Sequence, residues 1–196
     1  MKYEIILADP PWLYYGDPNK NAAAGKHYKC MSIDDLTQPH RWLNGGSFYE
    51  LAARPSVIFM WATGPMLQTA INVMTHCNWG FHYRGIAYVW VKTRKDGGII
   101  SGQGVRPSFT KPTTELLLVG STNSKGRAFP ILNEAQPQVV LHPRLAHSEK
   151  PPLFRDMIVD LLGDRPRIEL FARQRVDGWD AIGDELEDMP GGRRMA

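Results

Sequence analysis

The chain has 196 residues, of which 43% are hydrophobic and 22% are charged, with a formal net charge of +3 at pH 7. This size and balance predict one globular domain and exclude a disordered chain, and no apolar run is long enough to span a membrane. The two cysteines, Cys30 and Cys77, have no metal-ligand spacing, so we expect a cytoplasmic protein without a structural metal, and its mildly basic charge permits an anionic partner.

The first predicted strand, residues 3–8, ends in Asp9, Pro10, Pro11 and Trp12. Neither proline can donate to a ladder, so the pair ends the strand and holds an acid and an indole on a stiff turn. In open α/β sheets, ligands bind at the carboxyl ends of strands. The Asp9 carboxylate and the Pro10 carbonyl can each accept one N–H of an exocyclic amine, while Trp12 stacks on the flipped base. The turn therefore favours methyl transfer to an amino nitrogen of a base. The alternative is an ordinary strand end with a turn acid and a core tryptophan.

Two helices and a strand are predicted next. Ser32 is a good N-cap with acids in the following turn, and Pro39 ends that helix early. Residues 57–62 form an apolar run typical of a buried strand. Pro65 then occupies the first position of a helix whose apolar residues recur at helical spacing.

The second half of the chain predicts three more strands and the clearest helix. Residues 86–91 and 115–119 are expected to be antiparallel neighbours near a sheet edge. Residues 151–162 carry one apolar stripe and end at Gly163, and residues 167–171 form the last strong strand. The alternation predicts a three-layer α/β sandwich with a largely parallel sheet. We expect one domain over residues 1–186 and a flexible tail over residues 187–196.

Two long segments are predicted to form mobile walls of the base pocket, residues 13–27 and residues 92–112. The second segment sets five cations against one acid, and clustered cations suit phosphate contacts. The substrate-binding candidates in and beside these segments are Tyr14, Tyr28, Lys92, Arg94, Lys95, Arg106 and Lys111. A solvated surface loop is the alternative. The indoles predicted to lie in the core are Trp61, Trp79, Trp90 and Trp179.

The chain resembles the MT-A70 family of N6-adenine methyltransferases in several segments that occur in the family's order. They are Asp9 to Trp12 and residues 27–32, 57–64, 88–93, 115–120, 148–151, 168–173, 178–180 and 183. The resemblance covers nearly the whole chain. It implies a Rossmann-like methyltransferase fold that is circularly permuted, with the catalytic motif first and the cofactor motif near the carboxyl end.

The cofactor that methylation of an amine requires is a donor with an activated methyl group, and we expect S-adenosyl-L-methionine. The resemblance implies that Lys150 binds its methionine carboxylate. Lys150 precedes two prolines that open a helix, whose N-terminus also favours an anion. A solvated lysine before a helix is the alternative. Asp9 is expected to contact the amino group of the cofactor as well.

The remaining cofactor contacts are placed by the resemblance at Glu169, Arg173, Asp184 and Glu185. An unpaired carboxylate within a strand is costly, so Glu169 alternatively forms a structural pair with Arg173 or Arg167. Asp184 and Glu185 follow a short strand, where an acid commonly binds a ribose. The family often has amides at this pair, and there is no GxGxxG loop in the sequence, so these two assignments rest on the resemblance.

The function we expect is S-adenosylmethionine-dependent methylation of adenine N6 in DNA. One alternative is the same reaction on RNA. The other is a catalytically silent, nucleic-acid-binding partner subunit, which the intact Asp9 to Trp12 turn and Lys150 disfavour. The sequence leaves the oligomeric state open, a dimer included.

Overall fold

The computed structural model describes residues 2–13, 30–100, 109–110, 112–146 and 148–186. Within these residues, seven strands form one sheet. They are β1 (Tyr3–Ala8), β2 (Ala52–Ala62), β3 (His82–Thr93), β4 (Thr114–Ser121), β5 (Val139–Pro143), β6 (Arg167–Leu170) and β7 (Asp180–Ile182). Their order across the sheet is β5-β3-β4-β2-β1-β6-β7.

Strand direction places the carboxyl ends of six strands along one edge of the sheet. β1 pairs in parallel with β2 and β6, β6 with β7, and β3 with β5. β4 pairs antiparallel with both β2 and β3. The amino end of β4 therefore meets the carboxyl ends of the others, and side chains from either end of a strand can converge there.

Three α-helices cover the two faces of the sheet. α1 (Ile33–Thr37) and α2 (Leu67–Thr75) pack on one face, and α3 (Leu153–Leu162) packs on the other. In β1, Ile6 and Ala8 belong to the cluster with α1 and α2, whereas Ile5 and Leu7 belong to the cluster with α3. Burial on both faces explains why the first strand reads as a continuous apolar run. The predicted mixed α/β class and three layers are confirmed, and the family-level arrangement is consistent with a Rossmann-like methyltransferase fold.

The helix boundaries follow the predicted local signals. Ser32 caps α1 in a capping box with Asp35, and the helix ends at Thr37, ahead of Pro39. Pro65 lies in a single 3₁₀ turn, Gly64–Met66, which leads into α2. α3 begins two residues later than predicted and ends at Gly163.

The strands differ from prediction in extent and in number. β2 begins five residues before residue 57, and β3 extends to Thr93, so that Lys92 lies in a strand and not in a loop. β5 was not predicted. Val139 and Leu141 are exposed and only Val140 is buried, so the segment lacks the buried apolar run of the central strands. The pair β3 and β4 is antiparallel and lies near an edge, as predicted.

Two predictions concern parts of the chain outside the described residues. The tail over residues 187–196 and most of the predicted wall over residues 13–27 belong to them. Among the helices that the structure does describe, none has the length and apolar character needed to cross a membrane.

Candidate active site

The Asp9 to Trp12 turn is fixed on both sides by backbone hydrogen bonds. The Asp9 N–H donates to the carbonyl of Leu170 at the end of β6, at 3.3 Å. Met31 N–H donates to the Pro11 carbonyl at 2.8 Å, and the Trp12 N–H donates to the Pro10 carbonyl at 2.9 Å. A carbonyl has two lone pairs, so Pro10 keeps one acceptor site for a ligand.

Trp12 lies in the core and does not form an open stacking face. Its side chain is 6% exposed, and its Nε1–H donates to the carbonyl of Trp61 at 3.1 Å. Stacking on a base in this conformation would need the indole to leave the core and break that bond. In this conformation the indole anchors the turn, as in the alternative interpretation, and stacking of Trp12 on a base stays a prediction. The indoles of Trp61, Trp79, Trp90 and Trp179 are also buried, as predicted, at 8% exposure or less.

Four charged side chains alternate in sign beside the turn. The Lys150 Nζ lies 2.9 Å from Asp9 Oδ2 and 3.4 Å from Glu115 Oε2, and it donates to the Ser148 carbonyl at 3.1 Å. The Lys92 Nζ lies 2.5 Å from Glu115 Oε1. We call Lys92, Glu115, Lys150 and Asp9 the ionic chain. Their side chains are between 11% and 21% exposed, so water screens these contacts only partly.

The two acids of the ionic chain have opposite pKa shifts. Burial raises the pKa of the Asp9 carboxyl. Lys150 opposes that shift, whereas the carboxylates of Glu115 and Glu169 add to it. Burial would also raise the pKa of Glu115, but Lys150 and Lys92 outweigh it, and the net pKa is lowered. Glu115 is thus the firmly ionised acid, and Asp9 is the more easily protonated one.

Glu169 is paired with an arginine that the sequence did not suggest. Both of its carboxylate oxygens accept from Arg155 of α3, at 2.8 Å from Nε and 2.9 Å from Nη2. Glu169 is 8% exposed. The predicted alternative of a structural pair is therefore correct in kind and wrong in partner, because neither Arg167 nor Arg173 makes the contact. A cofactor contact by Glu169 stays a prediction.

Beyond Glu169, polar side chains continue along the edge toward β7. Arg173 pairs with Glu185 at 3.0 Å, and both are more than a third exposed. Asp184 Oδ1 accepts from the Nε1–H of Trp42 at 2.8 Å, and the Trp42 ring meets Phe171 edge-on at 5.2 Å between centroids. The predicted residues Arg173, Asp184 and Glu185 thus follow the ends of β6 and β7, where Arg173 is paired with Glu185 and Asp184 is bonded to Trp42.

Unusual backbone geometry occurs near Lys150 and directly after β6. Ser148, two residues before Lys150, and Phe171, directly after β6, both have a φ of 60°. Such conformations are uncommon for residues other than glycine and concentrate at ligand sites. At Gly183, a Cβ atom would lie 2.1 Å from the carbonyl oxygen of Ala172, so only glycine lets the ends of β6 and β7 approach this closely.

The predicted substrate-binding residues fall into three groups. Lys92 belongs to the ionic chain. Arg94 and Lys95 lie on an exposed turn after β3, where Arg94 pairs with Asp96. Tyr14, Tyr28, Arg106 and Lys111 lie outside the described residues.

This donor set suits a ligand with a carboxylate at one end and ribose hydroxyls at the other. The Lys150 ammonium provides a cation, and the acids at the end of β7 provide hydroxyl acceptors. The described part of the chain holds no group of three or more His, Cys, Asp or Glu side chains that could bind a metal. A separate apolar pocket of about 620 Å³ lies toward the amino ends of β2 and β3, away from Asp9, and takes no part in this site.

Sequence reasoning missed four residues of this arrangement: Glu115 and Trp42 as site residues, Arg155 as the partner of Glu169, and Lys92 as a member of the ionic chain. One signal was available. Glu115 is a charged residue at the start of an otherwise apolar strand, where an acid needs a partner.

The chain matches one protein family and is similar to several known proteins, two of which follow. The MT-A70 family profile matches residues 3–185. The chain is 31% identical to the type II methyltransferase M.MunI of Mycoplasma sp. over 95% of its own length and 79% of that protein. It is 28% identical to the N6-methyladenosine RNA methyltransferase MTA1 of Pyricularia oryzae over 94% of its own length and 47% of that protein.

Proposed function

The chain belongs to the MT-A70 methyltransferase family, and on that premise we propose that it methylates the N6 amino group of adenine in DNA, using S-adenosylmethionine. The observation that carries the proposal is the Asp9 carboxylate, held at the carboxyl end of β1 and 2.9 Å from the Lys150 ammonium. An acceptor for an amine and a cation for the cofactor thus lie side by side.

Asp9 and the Pro10 carbonyl hold the target amine. Each accepts one N–H, which turns the nitrogen lone pair toward the methyl donor and stabilises the positive charge that develops on nitrogen. The two prolines stiffen the turn, and the Trp12 side chain anchors it to β2 through the hydrogen bond to the Trp61 carbonyl. The acceptors are therefore in place before the substrate arrives.

The cofactor supplies an activated methyl group on a sulfonium. Lys150 is proposed to bind its carboxylate, and Asp184 and Glu185 its ribose hydroxyls. The Arg173–Glu185 pair is more than a third exposed and can open at little cost. Glu169 is held on both oxygens by Arg155, so we retain it as a residue that shapes this site rather than as a free acceptor.

DNA is the favoured substrate because the chain spans 79% of the type II methyltransferase but only 47% of the RNA enzyme. The exposed cations Arg94 and Lys95 lie on the same edge as Asp9, where a phosphate backbone would pass. RNA methylation is the second candidate, which the name of the fungal relative supports. The Asp9–Lys150 pair argues against a silent partner subunit, since binding alone needs neither group.

Product analysis tests the proposal. The purified protein is incubated with methyl-labelled S-adenosylmethionine and matched DNA and RNA oligonucleotides, which are then digested to nucleosides. We expect labelled N6-methyladenine from DNA. Label in RNA adenine alone would support the second candidate, and labelled cytosine or no label in either polymer would contradict the proposal.

A further inference from the structure

Lys92 is held in place by its backbone and its side chain. As the penultimate residue of β3, it donates its N–H to the Thr113 carbonyl at 2.9 Å and accepts from the Ile100 N–H at 3.2 Å. Its ammonium lies 5.0 Å from the centroid of the Trp90 ring, and its side chain is 21% exposed. Arg94, two residues on, is 57% exposed. A cation held in this way is poorly placed to follow a nucleic-acid backbone.

Glu115 is the link between the two lysines. One carboxylate oxygen contacts Lys92 at 2.5 Å, and the other contacts Lys150 at the longer distance of 3.4 Å. Glu115 is 8% exposed, so it needs both cations to stay ionised without water. Because the charge of Glu115 is shared, its hold on Lys150 is weaker than that of an unshared carboxylate.

We propose that Lys92 and Glu115 are positioning residues that keep the Lys150 ammonium available to the carboxylate of the cofactor, an inference that rests on the proposed function. With Lys92 present, the four charges of the ionic chain cancel. Without it, Lys150 faces two carboxylates and the site carries a net negative charge, which repels a third carboxylate. When the Asp9 carboxylate accepts from the substrate amine, Glu115 still holds Lys150 in the site.

This role for Lys92 differs from a phosphate contact in what its removal changes. Removing a phosphate contact changes the salt dependence of nucleic-acid binding and does not change cofactor affinity. A positioning residue changes cofactor affinity and leaves the salt slope alone. The two measurements together therefore separate the roles.

Binding of S-adenosylmethionine to the full chain is measured by calorimetry for five variants. They are Lys92→Met, Lys92→Arg, Glu115→Gln, the double variant Lys92→Met with Glu115→Gln, and Lys125→Met as control. Lys125 is an exposed lysine in the turn after β4, at the opposite end of the sheet. We expect Lys92→Met to weaken cofactor binding by about five- to thirtyfold, which is in the range of the coupling energies between contacting charged residues. Lys92→Arg restores most of the affinity, and Lys125→Met has no effect.

The double variant tests whether Lys92 acts through Glu115. Once Glu115 is neutral, replacing Lys92 should change cofactor affinity by less than about twofold, because the excess negative charge is already gone. The salt slope of DNA binding should be that of the wild type in Lys92→Met.

Each other outcome overturns the inference in an identifiable way. If Lys92→Met has wild-type cofactor affinity and a flatter salt slope of DNA binding, Lys92 is a phosphate contact, as first predicted, and not a positioning residue. Additive effects in the double variant would show that Lys92 acts independently of Glu115. If the wild-type chain itself binds no cofactor, the proposed function fails, and this inference fails with it.

Discussion

At the scale of single residues, Asp9 combines a raised pKa with a proposed catalytic role that needs its ionised form. Burial raises the pKa of the carboxyl, and the nearby ammonium of Lys150 opposes the shift. Only the ionised carboxylate can accept N–H hydrogen bonds at both oxygens, so protonation removes an acceptor from the site. The fall of activity at low pH should therefore follow the protonation of Asp9.

The pH dependence of turnover follows from that shift. Protonation of Asp9 begins at a higher pH than for an ordinary aspartate, whose pKa is about 3.9, so kcat should fall as the pH drops through the raised value. Lys150→Met removes the group that opposes the shift and should move the acid limb to still higher pH. The measurement is kcat against pH at saturating cofactor. An acid limb that is identical in both proteins would contradict the assignment.

Lys150 itself is expected to control cofactor affinity. Lys150→Met should weaken S-adenosylmethionine binding by about 2–5 kcal/mol, the usual effect of removing one partner of a buried charge pair. Lys150→Arg keeps the charge and serves as the control, with a smaller loss. Calorimetry that shows unchanged affinity in Lys150→Met would remove this residue from the cofactor site.

Some of these residues were predictable from the sequence and others were not, for a physical reason. Two prolines after an apolar strand place Asp9 by local geometry, so its position could be predicted. The partners of Glu115 and Asp184 lie far away in sequence, and only the strand order brings them together. The role of Trp12 could not be predicted either, since residue type alone does not decide between a stacking face and a core anchor.

At the scale of elements, the Arg155–Glu169 pair joins α3 to β6. Both side chains are about a tenth exposed, and the contact is bidentate. Arg155→Met leaves the Glu169 carboxylate buried without its cation and should destabilise the fold by about 3 kcal/mol. Urea denaturation measures this loss.

The matched control for that prediction is Arg127→Met. Arg127 pairs with Glu134 at 3.2 Å, but the two side chains are 69% and 74% exposed. Exposed pairs contribute about 0–1 kcal/mol, so the control should stay close to the wild type. Equal stability of the two variants would show that the Arg155 contact is not buried in solution.

Element prediction succeeded where both local signals and burial agreed. The N-cap at Ser32 and the glycine after α3 each mark a helix end, and Pro65 lies in the 3₁₀ turn that leads into α2. β5 escaped because it is an edge strand with apolar residues exposed on one face, Val139 at 51% and Leu141 at 60%. Its pairing with β3 is decided by tertiary context rather than by its own sequence.

At the scale of the whole molecule, one edge of the sheet carries the proposed active site and two exposed cations. Asp9 and Asp184 follow the ends of strands there, Lys150 reaches Asp9 from the segment before α3, and the turn with Arg94 and Lys95 extends from the same edge. The mixed sheet with one antiparallel strand could be predicted in class, but its order could not. The circular permutation implied by the resemblance stays a prediction.

The position of the exposed cations predicts a salt effect. Replacing both Arg94 and Lys95 by Gln should lower the slope of log binding constant against log salt by about one unit for each lost phosphate contact. Cofactor affinity should be unchanged. Lys125 and Arg127, near the opposite edge, give a control pair of equal charge. An unaltered slope in the Arg94 and Lys95 variant would make that turn an ordinary solvated surface.

The most direct test of the central claim is the rate of methyl transfer to adenine in DNA by the Asp9→Asn variant, at saturating S-adenosylmethionine. Asparagine keeps the size and one acceptor of aspartate but removes the charge that stabilises the developing cation. We predict a loss of about 10²–10³ in kcat, as for other preorganised electrostatic groups, with a much smaller change in cofactor affinity. Wild-type turnover in Asp9→Asn would show that this acid is only a turn residue and would contradict the account.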